Sequence, residues 1–146
     1  MKKEGQKNFS FPKAEKLTSK KLIEGLFKNS SSFYLHPIIL KYAVSAREAP
    51  CHQVLFTVSK KSLKRAVDRN LIKRRMREAY RLNKHVLSDK NDTFYNLAFI
   101  YTGSKILLYK ELEHKLTGLL QRLENLNNME KWQNTSIGYW GSPSLQ

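Results

Sequence analysis

Between Lys60 and Lys84 the chain reads KKSLKRAVDRNLIKRRMREAYRLNK. Eleven Lys or Arg stand there against Asp68 and Glu78 alone, so nine of the fifteen net positive charges fall in this stretch. Guanidinium and ammonium groups at such density are groups that bind phosphate. At about 100° per residue, a helix from Arg69 onward gathers Ile72, Met76, Ala79 and Tyr80 on one side. The same winding sets Lys73, Arg74, Arg77, Arg81 and Lys84 in a neighbouring arc. A charged helix face is ordinarily solvated surface laced with opposite charges four residues apart. Here Lys73, Arg77 and Arg81 follow one another at that spacing with the same sign. The repulsion costs an isolated helix a few tenths of a kcal/mol per pair, a cost that a phosphate backbone relieves. Clustering on one helix within a strongly basic chain points to nucleic acid.

Few other residues are spaced for chemistry. A hydrolytic nuclease needs carboxylates converging on metal ions about 4 Å apart, or a histidine paired with an acid. Asp89 and Asp92 stand in a polar segment whose turn chemistry accounts for them. Glu111, Glu113 and His114 lack the spacing of a zinc site, and His36, His52 and His85 are isolated. No catalytic and no metal-ligating residue is assigned. Cys51, the one cysteine, excludes an intrachain disulfide or a multi-thiolate zinc site, fits a reducing cytosol and reads as a small filler. No run approaches the roughly 20 apolar residues of a membrane span, and the first residues lack the apolar core of a signal peptide. A cytoplasmic protein with no membrane contact and no obligate protein partner is expected.

The elements that must position the basic helix fit one domain of 146 residues. Residues 1–10 read as a flexible basic segment, residues 11–126 as the folded domain and residues 127–146 as a disordered tail with Trp132, Tyr139 and Trp140 isolated in it. Thr18 or Ser19 can cap a short helix over Lys20 to Lys28, which the Asn29 to Ser32 cluster ends. Ile38 to Val44 and Val54 to Ser59 alternate as strands. The turn from Arg47 to Pro50 suggests that they pair as a hairpin. The basic helix is expected to begin near Asp68 or Asn70, either of which can cap it, and to fade around Leu87. After a loop from Ser88 to Thr93 come an apolar strand, Phe94 to Tyr101, and a closing helix, Leu107 to Leu126. The order is helix, strands, helix, strand, helix: an α+β fold.

Three segments, FPKAEKL, TVSKK and RAVDRNLIKRRMREAYR, resemble in order and spacing the bacterial ribonuclease P protein, over most of residues 11 to 123. The most specific part is R-N-x-x-K-R-x-x-R-E, met by Arg69, Asn70, Lys73, Arg74, Arg77 and Glu78, after Lys60 and Lys61 at a strand end. The resemblance implies a single two-layer domain, ribosomal protein S5 domain 2-like, with a left-handed βαβ crossover that departs from the usual hand. It implies a partner, the ribonuclease P catalytic RNA, and a shared substrate, precursor tRNA. Magnesium ions held mainly by the RNA would cut the 5′ leader, with none bound tightly by the protein. By position, Arg69, Asn70, Lys73, Arg74 and Arg77 would touch the catalytic RNA, with Lys60, Lys61, Lys64, Arg65 and Arg81 extending the surface. Asn70 has helix capping as an equal alternative, and Glu78 is expected to orient an arginine.

The resemblance also implies a cleft between the first helix and the sheet that holds the single-stranded leader by aromatic stacking and lysine contacts. Phe27 stands at a matching position, with Ile23, Lys41 and Tyr42 nearby; for these three, ordinary packing is preferred to a place in the cleft. Leu71 replaces a frequent arginine of the motif, and Ser62 to Arg65 carries no glycine. A ribosomal or general structured-RNA-binding protein fits the composition equally well. A major-groove DNA reader fits less, for want of a short helical hairpin before the basic helix.

Overall fold

The structure, a computed structural model, describes residues 10–45, 51–87 and 94–135. The expected turn from Arg47 to Pro50, the loop from Ser88 to Thr93, and Tyr139 and Trp140 lie outside these residues. The element order is α1 (Lys20–Lys28), β1 (Ser31–Leu35), β2 (Ile38–Val44), β3 (Gln53–Val58), α2 (Ala66–Asn83), β4 (Tyr95–Tyr101) and α3 (Tyr109–Thr135). Short 3-10 turns at Lys13–Glu15 and Lys84–Val86 precede α1 and follow α2. The chain is a mixed α+β domain in the expected sequence of helix, strands, helix, strand and helix.

Each helix follows from its sequence. Ser19 caps α1, its side chain accepting from the Leu22 amide at 3.4 Å. Helix α2 buries Ile72, Met76, Ala79 and Tyr80, the four residues that helical winding gathers on one side. It begins earlier than expected, at Ala66 with Arg65 in the cap position and no side-chain cap. Asp68 therefore lies in the first turn, where a carboxylate favours the helix dipole, and Asn70 in the second turn has no capping role. Helix α3 runs on to Thr135, past the boundary expected at Leu126. Asn127 explains part of this: it is 5% exposed, and its Oδ1 accepts a hydrogen bond from the buried Tyr95 hydroxyl at 3.3 Å. A polar residue can continue a helix when a buried partner satisfies it.

The sheet has the order β1-β2-β4-β3, which overturns the expected hairpin between β2 and β3. Strand β2 pairs antiparallel with β1 (Phe33 opposite Leu40) and with β4 (Leu40 opposite Phe99), while β3 pairs parallel with β4 (Phe56 opposite Phe99). Burial explains the insertion. Tyr95, Asn96, Leu97, Ala98 and Phe99 of β4 are all buried, so that strand needs cover on both faces and neighbours on both edges. Strand β3 alternates buried with half-buried residues, as an edge strand can. Two buried clusters follow from the alternation of side chains. On one face Ile38, Leu40, Val54, Phe56, Leu97, Phe99 and Tyr101 meet α2 and the leucines of α3 from Leu112 to Leu123. On the other, Leu17, Leu26 and Ala98 pack with Ile23, Ala43 and Leu55 beneath α1.

Gly103, just beyond β4, is held to its size by the same packing. A Cβ there would sit 2.8 Å from Pro37 Cβ and 3.1 Å from the Tyr101 hydroxyl. Gly103→Ala is expected to lower stability by about 1 to 3 kcal/mol through overpacking. A urea midpoint equal to that of the unmodified chain would show that the β2 and β4 ends can part at no cost.

Candidate nucleic-acid interface

Helix α2 presents its cations because its apolar residues are committed elsewhere. With Ile72, Met76, Ala79 and Tyr80 turned into the core, Asn70, Arg74 and Arg77 are exposed and Lys73 is half-buried at the edge of the same arc. The aromatic floor beneath is rigid. Tyr80 contacts Phe56 and Phe99 with ring centroids 5.9 and 6.2 Å away, Phe56 stacks on Phe99 at 5.7 Å, and Phe11 closes over Phe56 and Tyr80 at 6.1 and 5.9 Å. Burial pushes the Tyr80 phenol far up from its ordinary range, so it stays neutral.

The loop between β3 and α2 extends this surface. Leu63 is 5% exposed and roots the loop in the core, while the Ser62 hydroxyl donates to Thr102 O at 2.7 Å. Lys60, Lys61, Lys64 and Arg65 are exposed. Among the described residues, Lys60, Lys61, Lys64, Arg65, Lys73, Arg74 and Arg77 take part in no ion pair. The expected convergence of basic residues on one helix and its preceding loop is therefore present, and unneutralised.

Other cations of the motif are engaged within the fold, which charge counting does not reveal. Arg69 Nη1 donates to Leu63 O at 2.9 Å and to Lys64 O at 2.7 Å. Arg75 Nη1 donates to Leu107 O, bracing α2 against the chain entering α3. Lys84, placed by winding in the exposed arc, lies instead on the turn after α2, where its ammonium meets Glu15 Oε1 at 2.8 Å and also donates to Ser10 O. Arg81 Nη2 meets Glu78 Oε2 at 2.6 Å, and its Nε donates to Oε1 at 3.1 Å. Glu78, one of the two acids in this basic stretch, thus pairs with Arg81, which fulfils the expectation that it orients an arginine. The Arg81 hydrogen bond draws the Glu78 carboxyl below its usual range. The pair is surface-exposed, so it adds little to stability. Glu78→Gln is expected to free Arg81 and to steepen the salt dependence of RNA binding by up to about 0.9 log units per added phosphate contact. An unchanged slope would place Arg81 outside the interface.

The four cleft residues are divided by the sheet. Ile23 and Phe27, four apart on α1, share one face of that helix; Ile23 packs beside Ala43, and Phe27 stays 39% exposed. Lys41, two residues before Ala43 on β2, shares its face and so projects to the α1 side. Tyr42 does not join them. Its ring belongs to the opposite face, stacked on Phe33 at 5.1 Å and edge-on to Tyr95 at 6.1 Å. A period of two allows only one of Lys41 and Tyr42 on each side. Tyr34, opposite Ile39 on β1, shares the Lys41 side and is 55% exposed, with its hydroxyl 2.8 Å from His36 Nδ1. The sequence reading missed it because three consecutive serines, Ser30 to Ser32, hid the start of β1. The single signal available was the alternation of Phe33, Tyr34 and Leu35.

No group of three or more His, Cys, Asp or Glu among the described residues is placed to hold a metal ion. No helix among those residues is long and apolar enough to cross a membrane. Asp89 and Asp92 fall outside the described residues, and Cys51 is half-buried with burial raising its thiol pKa.

A family model described as Ribonuclease P matches residues 11–124. The ribonuclease P protein component of Porphyromonas gingivalis strain ATCC 33277 is 32% identical over 119 residues, spanning 79% of this chain and 87% of its own length. That of Chlorobaculum tepidum is 37% identical over 128 residues, spanning 76% and 83%. Among solved structures, the RNase P protein of Staphylococcus aureus superposes with a TM-score of 0.64 at 20% identity, covering 77% of this chain and 97% of that one. The Thermotoga maritima RNase P protein gives 0.62 at 21% identity, covering 74% and 96%. The solved structures bear on the fold: a four-stranded sheet with helices in one mixed domain.

Proposed function

This chain belongs to the ribonuclease P protein family, and from that premise we propose that it is the protein subunit of a ribonucleoprotein that removes the 5′ leader of precursor tRNA. Its work is electrostatic. The observation that carries this reading is the run of cations from Lys60 through Lys64 and Arg65 to Lys73, Arg74 and Arg77, on one helix and the loop that feeds it, which form no ion pair among the described residues. Phosphates of a folded catalytic RNA meet that surface and release their counterions, while the core beneath keeps the spacing of the cations fixed.

On the α1 side of the sheet, Ile23, Phe27, Lys41 and Tyr34 offer an apolar and aromatic floor with one cation, a combination suited to unpaired nucleotides of the leader. No described residue of this chain is placed to hold magnesium; ions held by the RNA would supply the hydrolytic chemistry. This chain contributes binding and screening. By neutralising phosphate repulsion between ribozyme and substrate, it lowers the magnesium concentration at which the two associate.

The test is a cleavage assay on precursor tRNA. The isolated polypeptide is expected to leave the substrate uncut in magnesium, and to raise cleavage by the cognate RNA when magnesium is scarce. Cutting by highly purified polypeptide, abolished by Asp89→Ala, would replace this reading with an autonomous nuclease. Copurification of ribosomal RNA alone would replace it with a ribosomal role.

A further inference from the structure

We infer that Arg69 is a positioning residue, which fixes the loop carrying Lys60, Lys61, Lys64 and Arg65 rather than contacting phosphate itself. The inference rests on the proposed RNA-binding role and assigns this arginine a different task from its neighbours Arg74 and Arg77. One nitrogen, Nη1, donates to two successive carbonyls, Leu63 O at 2.9 Å and Lys64 O at 2.7 Å. Both carbonyls belong to the two residues before Arg65, the cap of α2. Arg65, in the cap position, makes no side-chain cap hydrogen bond. The entry to the helix is thus fixed from inside, by a side chain one turn along reaching back.

The rest of the loop is tied at its other end. Ser59 O accepts from the Ser62 and Leu63 amides, each at 3.2 Å, Ser59 Oγ accepts from the Lys61 amide at 3.2 Å, and the Ser62 hydroxyl is spent on Thr102 O. Between these ties and Leu63 in the core, Lys64 and Arg65 are held on the helix side by Arg69. A cation beside a helix N-terminus opposes the helix dipole, so two carbonyl acceptors are what make the placement favourable. Arg69 as a residue is half-buried, and its Nη1 is already engaged by two protein acceptors. Arg74 and Arg77, in contrast, are exposed and make no ion pair among the described residues.

The experiment measures the affinity of the cognate catalytic RNA across a range of monovalent salt for the full chain and for Arg69→Ala, Arg69→Gln and Arg74→Ala. Amide exchange over residues 60–65 is followed in the same variants without RNA. For Arg69→Ala the expected result is binding about five- to thirty-fold weaker with the salt slope unchanged, and faster exchange of the loop amides. Arg69→Gln lacks the charge but keeps an N–H donor, and is expected to recover much of both. A slope reduced by about 0.7 to 0.9 in either variant would make Arg69 a phosphate contact and overturn the inference, as would undiminished affinity of Arg69→Ala. Arg74→Ala separates the two readings. If it leaves both affinity and slope untouched, the arc on α2 does not bind RNA and the proposed function fails, whereas the exchange measurement still decides whether Arg69 fixes the loop.

Discussion

Replacing Arg74 and Arg77 together by alanine is expected to flatten the salt dependence of catalytic-RNA binding by about 1.4 to 1.8 log units, two phosphate contacts at 0.7 to 0.9 each. Both arginines are exposed, and neither forms an ion pair among the described residues, so no described carboxylate competes for them. Their removal also ends the repulsion that Lys73 and Arg77 exert on each other one turn apart. The stability of the free protein is therefore expected to change by no more than surface substitutions usually do, about 0.5 kcal/mol. Affinity lost while stability holds is the signature of an interface. Arg75→Ala, made in parallel, is expected to do the reverse, because Arg75 braces α2 against Leu107 O. An unchanged slope in the double variant would remove this arc from the interface and with it the central support for the proposed role.

Phe99→Ala is expected to cost about 3 to 5 kcal/mol, a large share of the roughly 5 to 15 kcal/mol that holds a domain folded. Phe99 is fully buried on the central strand, between Leu40 and Phe56 across the sheet. Its ring stacks on Phe56 and leans against Tyr80 of α2. The cavity would therefore open directly under the cationic helix. Urea unfolding followed by far-UV circular dichroism reads the loss as a lower midpoint, and a loss under 1 kcal/mol would show that the aromatic floor repacks. RNA binding at saturating stability, for example at low temperature, is expected to weaken as well, because cations on a shifted helix no longer match a fixed phosphate spacing.

Much of this protein is legible from residue order. The 3.6-residue period of Ile72, Met76, Ala79 and Tyr80 determines which face of α2 is buried, and hence that Arg74 and Arg77 point outward. The alternation of β2 and β3 and the apolar run of β4 determine where the strands lie. These are local properties, set by backbone geometry and by the removal of apolar side chains from water, and neither needs the rest of the chain to be known.

Pairing and partnership are not local. Strand β4 lies between β2 and β3 because a strand buried on both faces needs neighbours on both edges, a requirement met only when the whole sheet assembles. Lys84 meets Glu15 across most of the domain, Arg69 turns back onto two carbonyls, and Tyr42 takes the face opposite Lys41; charge and spacing treat each of these residues as equivalent to its neighbours. Composition gives the number of positive charges. Only the folded chain decides which of them are already satisfied, because a hydrogen bond or ion pair depends on distances of about 3 Å between groups that may stand far apart along the sequence.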